Sequence, residues 1–141
     1  MWNGELAADY LRRAHVRVSA IQVLFDGENW ADVVRESQEV VELALKGLLR
    51  ACGIEAPRIH DVSEVLLAEG DRLPPAARNE AERLAAISRG LRRDRELAFC
   101  GAEDLTPSTF YSKDDATAAF DGARFVVSVA APVVRAKTVR E

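Results

Sequence analysis

Apolar residues recur along this chain at alternating steps of four and three positions, and this spacing constrains the fold more than any other feature. The first such stripe consists of Ala7, Leu11, Ala14, Val18, Ile21 and Phe25. Because residues three and four apart share one face of a helix, the stripe predicts an amphipathic helix from 5 to 25. No segment combines apolar–polar alternation with β-branched enrichment, so the sequence predicts no β-sheet.

A second helix is predicted between two glycines. Gly27 is expected to end the first helix in the left-handed conformation, and Asn29 to cap the second. Gly53 is expected to end the second helix as Gly27 ends the first. The apolar side carries Val34, Val41, Leu45, Leu48 and Cys52, and it is widened by Val33, Val40, Ala44 and Leu49. This width predicts that the second helix is the most buried of the set.

The middle of the chain carries signals for a short helix followed by a long one. Asp61 and Glu64 form a capping pair for a short helix that ends near Gly70. The Pro74–Pro75 pair suits the entry to a long helix, since a missing N–H costs nothing there. That helix is expected to run to about Phe99.

The last helix is predicted to begin where Ser112 and Asp115 form a capping box. Its buried face is expected to contain Ala116, Ala119, Phe120, Ala123, Val126, Val127 and Ala130. Pro132 is expected to kink or end it. Together the elements predict an all-α fold with a single domain over 1–141, an up-and-down antiparallel bundle of four principal helices plus a short one.

Three glycines fall inside predicted helices, where each costs about 1 kcal/mol relative to alanine. One explanation would account for Gly47, Gly90 and Gly122 together: each lies where two helices approach closely, within the bundle or across a dimer. The alternative is that they are tolerated without a role. The sequence favours neither interpretation.

Composition excludes several classes of protein. The chain has 141 residues with 19 basic and 23 acidic side chains, a balance that argues against coating nucleic acid by charge alone. Its two cysteines and two histidines lack zinc-ligand spacing and make no disulfide framework, which indicates a reducing compartment. Neither a signal peptide nor a membrane-spanning stretch is indicated, so the expected location is cytoplasmic, without a membrane partner.

Two polar clusters are candidate ligand-binding residues. Gln38, Glu42 and Lys46 lie four positions apart on the second helix, either as a solvated face or as a polar stripe that lines a groove. The long penultimate helix carries the second cluster, Arg89, Arg92, Arg93 and Arg95. Clustered guanidiniums suit phosphate recognition because their forked donors match phosphate oxygens, and the alternative is internal salt bridging.

His60 precedes the capping Asp61 and is a further candidate. Such a histidine can act as a general base oriented by the carboxylate, although more often it fills a polar turn. The sequence contains no phosphate-binding glycine loop, zinc-protease motif or nucleophile elbow. No metal and no cofactor are therefore implied.

With these elements placed, the chain resembles a HEPN domain over about 7–134. The segment RESQEVVELALKGLLRACGIEAPRIHD is similar to the family's second helix and the turn after it. The matching places are Ser37, Gln38, Val40, Val41, Glu42, Ala44, Leu45, Lys46, Leu48 and Leu49, then Gly53 and His60–Asp61. The run Tyr111–Ala116, which opens the final helix, is typical of prokaryotic members.

The resemblance implies an all-α up-and-down bundle that commonly pairs as a homodimer. Many members are encoded beside minimal nucleotidyltransferases, in two-component or toxin–antitoxin-like systems, and others are metal-independent ribonucleases. The ribonucleases carry an arginine followed, after four to six residues, by a histidine near the end of the penultimate helix. This chain has no histidine after its arginine-rich turn, so the ribonuclease assignment is rejected and no catalytic residue is assigned.

The leading hypothesis is a binding module for a nucleotide, an RNA, another phosphate-bearing ligand or a partner nucleotidyltransferase. Anion contacts would come from the arginine cluster and a facing polar stripe from Gln38, Glu42 and Lys46. One alternative is a divergent RNA-cleaving or phosphoryl-handling enzyme that uses His60 and Asp61 with the arginines. Another is a purely structural dimerisation domain.

Overall fold

The computed structural model describes residues 4–56, 61–100 and 110–139, with the side chains of 94–100 and 139 outside that description. Its helices are α1 (Gly4–Asp26), α2 (Trp30–Ala51), α3 (Val62–Ala68), α4 (Pro75–Arg78), α5 (Ala81–Cys100) and α6 (Lys113–Val139). A 3₁₀ turn at Gly70–Arg72 joins α3 to α4. These ranges contain no strand, so the prediction of an all-α helical bundle is confirmed.

Contacts between the long helices give their directions. Arg17 of α1 pairs with Glu36 of α2 at 3.0 Å, so the two helices run antiparallel through a short turn. Arg124 of α6 donates to Gln22 of α1 at 3.0 Å, and Arg135 lies 3.4 Å from His15, so the two helices run antiparallel. Helix α5 lies antiparallel to α6, since Arg83 contacts the Phe125 ring while Ile87, further along α5, lies against Gly122. The four long helices therefore alternate up and down.

Burial follows the predicted stripes closely. In α1 the buried residues are Gly4, Ala7, Leu11, Ala14 and Ile21, with Val18 and Phe25 partly buried against the core. Helix α2 buries residues on nearly every side, which confirms it as the most enclosed helix, because α1, α6 and α5 all pack against it. Every residue predicted for the inner face of α6 is buried.

The turn between α1 and α2 differs from the prediction. The left-handed residue is Glu28, with φ of 57°, and not Gly27. Gly27 donates its N–H to the carbonyl of Val23 as another helical residue would, and this shifts the left-handed position by one residue. Asn29 does stand before α2, but its amide donates to Asp32 at 2.7 Å instead of accepting from a helix N–H.

Other predicted helix ends are confirmed. Gly53 has φ of 73°, the left-handed conformation expected after α2. Asp61 caps α3 by accepting from the N–H of Ser63 at 2.9 Å. Ser112 and Asp115 exchange backbone and side-chain hydrogen bonds at the start of α6, as a capping box does.

The long helix predicted after Pro74 is interrupted. It breaks at Asn79 and Glu80 into the short α4 and the long α5. Arg78, the last residue of α4, donates to the carbonyl oxygens of Asp71 and Leu73. These hydrogen bonds join the end of α4 to the preceding turn.

Of the two outcomes predicted for Pro132, a kink or an end of α6, the end is wrong. The helix continues to Val139, and Val133 and Val134 beyond the proline are buried. The carbonyl of Ser128, which loses its helical donor to the proline, belongs to an exposed residue and is open to water. Packing of the last two turns thus outweighs the missing hydrogen bond.

The three helical glycines separate into two kinds. A Cβ at Gly47 would lie 3.2 Å from the carbonyl oxygen of Ala7, and one at Gly122 would lie 3.1 Å from Cγ2 of Ile87. Both glycines therefore mark close approach of helices within the bundle. A Cβ at Gly90 would meet no atom within 4 Å, so packing does not require that glycine.

Helix α6 has the length and apolar composition of a membrane-spanning helix over Lys113–Thr138. Half of the most apolar stretch of this helix is buried inside the bundle. Charged residues such as Asp121 and Arg124 lie on its exposed side. These features are those of a core helix, which can have the same length and apolar composition as a membrane-spanning helix.

Candidate anion-binding site on helix α5

Arginines on one side of α5 contact the start of α3. Arg89 donates from Nε to the hydroxyl of Ser63 at 3.1 Å. Nη1 of Arg92, one turn later, lies 3.5 Å from Oδ1 of Asp61. Because residues three apart share a helix face, both guanidiniums are directed towards α3. The alternative of internal pairing thus applies to these two arginines.

Asp61 is the acidic residue at the centre of these contacts. Burial opposes its ionisation, but hydrogen bonds from Ser63 and the positive charges of Arg92 and Arg89 outweigh burial and lower the pKa of Asp61. The carboxylate is therefore ionised in the folded protein at neutral pH. The side chains of Asp61 and Arg92 are 27% and 40% exposed, so the pair is open to solvent.

Arg93 is exposed and lies one position further around the helix than Arg92. Within the described ranges, no ion pair or hydrogen bond involves its guanidinium. Of the other two arginines, Arg92 pairs with the carboxylate of Asp61 and Arg89 bonds to the hydroxyl of Ser63. The sequence also places Asp94 and Glu96 on α5, and their side chains lie outside the described residues.

Two predicted site residues fall outside what can be placed. His60 lies in the range 57–60, outside the described residues, and so does the side chain of Arg95. The other histidine, His15, lies 3.4 Å from Arg135, where α1 meets α6, and is not part of the arginine cluster.

The polar stripe of α2 is half-buried and internally bonded. Gln38, which is buried, donates from Nε2 to Oε1 of Glu42 at 3.2 Å. Lys46 Nζ lies 3.9 Å from the other oxygen of the same carboxylate. The stripe is thus not a fully solvated face. Both of these contacts of Glu42 stay within α2, whereas those of Arg89 and Arg92 are with α3.

A shallow groove of about 200 Å³ lies along the other side of α5, where α5 diverges from α6. The groove is lined by Ala86, Ile87, Gly90 and Leu91 from α5 and by Asp115, Ala118, Ala119 and Gly122 from α6. Arg93 follows Gly90 by three residues and therefore lies on the same face, beyond the end of the groove. A cationic side chain thus stands next to a space with a mixed lining, which combines apolar residues with the acidic Asp115.

Ser63 is the site residue that sequence reasoning missed. Asp61 was identified as a helix cap, but nothing near Ser63 in sequence signals a contact with Arg89, 26 positions away. Only the packing of α3 against α5 brings the two together. The sequence signal for this contact is weak. It consists of two arginines three residues apart on one predicted helix, Arg89 and Arg92, and of a cap, Asp61, on another.

The described residues contain no cluster of three or more His, Cys, Asp or Glu side chains able to hold a metal ion. Burial raises the pKa of the Cys52 thiol and outweighs the opposing charges of Lys137 and Arg72, so this cysteine stays protonated. What the arrangement offers is charge-assisted hydrogen bonding to an anion.

Comparison with protein families gives one result. The family model described as HEPN domain matches residues 7–133. Comparisons with curated proteins and with solved structures give no match.

Proposed function

Because the chain belongs to the HEPN domain family, a generally nucleotide- and RNA-related module, we propose that it binds a nucleotide or another phosphate-bearing ligand. The observation that carries this proposal is the set of exposed guanidiniums on α5. Arg92 pairs with Asp61, Arg89 bonds to the hydroxyl of Ser63, and no contact within the described residues involves the guanidinium of Arg93. A phosphate group would accept charge-assisted hydrogen bonds from these arginines.

The contacts with α3 support the proposal because they orient two of the arginines. Ser63 and Asp61 hold Arg89 and Arg92, which reduces the side-chain entropy that binding would cost. Arg93 then provides a guanidinium that can turn towards a phosphate. The groove beside Gly90 and Gly122 offers the apolar side chains of Ile87 and Leu91 to a flat base. Arg93 would hold the phosphate outside the groove, since Asp115 in the lining disfavours a second anion there.

The other candidate residues have supporting roles in the proposal. Arg95 would add a fourth guanidinium and His60 a hydrogen bond to phosphate. Gln38, Glu42 and Lys46 would line the approach as a polar stripe, with Gln38 and Lys46 both held by Glu42. No cofactor and no metal take part.

Isothermal titration with ATP, the other nucleoside triphosphates and a short RNA tests this proposal. We expect Arg92→Ala and Arg93→Ala each to weaken binding at least about tenfold, since a charge-assisted hydrogen bond is worth about 1.5–3 kcal/mol. Arg12→Ala is the matched control, because it removes an exposed arginine of α1 that pairs only locally with Asp9. Equal binding by the wild type and both α5 variants would refute the anion site.

The same titration separates binding from catalysis. RNA that stays intact supports a binding module. RNA that is cleaved by the wild type but not by His60→Ala would instead support the enzyme alternative, in which His60 and Asp61 act with the arginines.

We further propose that the chain forms a homodimer and acts in the cytoplasm with a minimal nucleotidyltransferase, in a two-component, toxin–antitoxin-like system. The support is the HEPN resemblance. Co-expression with the product of the neighbouring gene tests the partner. A small nucleotidyltransferase that stays bound through gel filtration is the expected result, and a neighbour of another class, or one that elutes separately, would contradict it.

A further inference from the structure

The outer face of α1 carries the most exposed large apolar side chains of the described residues. Val16 is 61% exposed and Val23 is 71% exposed. Seven positions separate them, which is two helical turns, and the exposed Ala20 lies between them. The bundle does not need these residues, since α1 packs through the opposite stripe that includes Ala14 and Ile21.

Charges flank this apolar strip symmetrically. Arg13 precedes Val16 by three residues, and Asp26 follows Val23 by three residues. Both are exposed. Asp26 accepts one hydrogen bond from Gln22 through Oδ1, and its Oδ2 has no partner within the described residues. In the described part of the chain no ion pair involves Arg13. Arg12 and Asp9 lie at the same end as Arg13 and pair with each other at 2.8 Å, so their charges offset. The outer face of α1, defined as Arg13, Val16, Ala20, Val23 and Asp26, is therefore positive at one end through Arg13 and negative at the other through Asp26.

This pattern is complementary to itself. When two copies of α1 pack antiparallel about a two-fold axis between Ser19 and Ala20, Val16 of each copy meets Val23 of the other. Arg13 of each copy then meets Asp26 of the other, at both ends of the strip. A parallel pairing would place like charges together and is disfavoured.

We propose that the outer face of α1 is the surface on which a second copy of this chain packs, antiparallel to the first. The inference rests on the homodimer proposed above and names its interface. One pair of helices buries less than the roughly 1,600 Å² of a standard interface, so the dimer is weak and depends on protein concentration.

Sedimentation equilibrium of the full chain over a range of concentrations tests the interface. We expect Val16→Glu and Val23→Glu to abolish the dimer. Each single charge reversal, Arg13→Glu or Asp26→Arg, should raise the dissociation constant at least tenfold. The double variant R13E/D26R should return it to within about threefold of the wild type, because the reversed charges again meet across the axis.

Leu67→Glu is the matched control, since it places the same charge at another exposed apolar residue, 39% exposed, on α3. It should leave the dissociation constant unchanged, and circular dichroism should show that every variant remains helical. A wild-type dimer that tolerates all the α1 variants would refute this interface and leave the homodimer standing. Single reversals that weaken the dimer without rescue by the double variant would refute the antiparallel pairing. A wild type that is monomeric throughout would overturn both proposals.

Discussion

Asp61 links two parts of the fold through one carboxylate. It caps α3 by accepting from the N–H of Ser63, and it lies 3.5 Å from the guanidinium of Arg92 on α5. The cap requires only an oxygen acceptor, whereas the pairing with Arg92 requires a negative charge. The two contributions are therefore separable by substitution and by pH.

Asp61→Asn keeps a capping oxygen and removes the charge. The folded-state pKa of Asp61 is lowered, so the stabilisation is present above the unfolded-state pKa and is lost as pH falls through the folded-state pKa. Urea unfolding at pH 7 should show a loss of at most about 1 kcal/mol in the free energy of unfolding, since the pair is partly exposed. At a pH below the folded-state pKa, where Asp61 is protonated, the variant and the wild type should be equally stable.

Asp71→Asn provides the control for this experiment, because it removes an exposed carboxylate from the 3₁₀ turn without touching α3 or α5. It should change stability by less than about 0.5 kcal/mol at either pH. A loss in Asp61→Asn that is the same at both pH values would show that the charge of Asp61 contributes nothing to folding.

Individual turn residues were predictable where the local sequence decides the geometry. Gly53 is left-handed and Ser112 and Asp115 form their capping box, because the bonds involved lie within a few residues. The turn after α1 was not predictable in this way. There the Phe25 and Trp30 rings pack edge to face at 5.1 Å, and the left-handed conformation falls on Glu28 instead of the neighbouring glycine.

At the scale of helices, the glycines show where the bundle is tightest. Gly47 of α2 lies against the backbone of α1 at Ala7, and backbone atoms in a packed helix cannot move aside. Gly90 of α5 faces the groove, and a Cβ added there would have no atom within 4 Å. The same substitution should therefore have opposite effects at the two positions.

Gly47→Ala and Gly90→Ala form a matched pair for thermal and urea unfolding. At Gly90 the alanine should raise the free energy of unfolding by about 1 kcal/mol, which is the gain in helix propensity. At Gly47 overpacking costs about 1–3 kcal/mol, and the same gain in helix propensity offsets part of that cost. We therefore expect the free energy of unfolding to fall by up to about 2 kcal/mol. A gain at both positions would show that α1 can move away from α2 at little cost.

Proline signals were less reliable than periodicity for locating helix ends. Pro75 does begin a helix, but the helix ends after one turn, because Arg78 bonds back to the carbonyls of Asp71 and Leu73. Pro132 is expected to kink or end α6, and the helix does not end there, since Val134 beyond it is buried. Both outcomes depend on tertiary contacts, which a local residue preference does not contain.

At the scale of the whole molecule, the candidate site was predictable in part. The arginines could be placed on α5 from their spacing alone, and the excess of positive charge could be read from composition. The partners of these arginines could not be predicted from the sequence. Ser63 and Asp61 meet Arg89 and Arg92 only after α3 packs against α5. The exposed position of Arg93 follows from that packing and not from any motif.

The bundle has an inner and an outer layer. Helix α2 packs most extensively against α1 and α6, and their main core also takes in Val62 and Leu66 of α3 and Leu84 of α5. Helix α3 packs chiefly on α5, where the partly exposed contacts of Asp61 with Arg92 and of Ser63 with Arg89 add to this burial. Because α3 has only seven residues and buries only Val62, Ser63 and Leu66, it should open locally at a lower free energy than the centre of α2.

Native-state hydrogen exchange measures this difference directly. Amides of α3 should exchange through local opening that is insensitive to low urea, while those of the centre of α2 exchange only on global unfolding. Arg92→Ala should speed exchange in α3 by up to about fivefold, the factor for a loss of about 1 kcal/mol, without altering α2. Arg12→Ala, which removes an exposed pair on α1, should leave α3 unchanged. Equal protection of α3 and α2 would instead mean that the helices unfold as one cooperative unit.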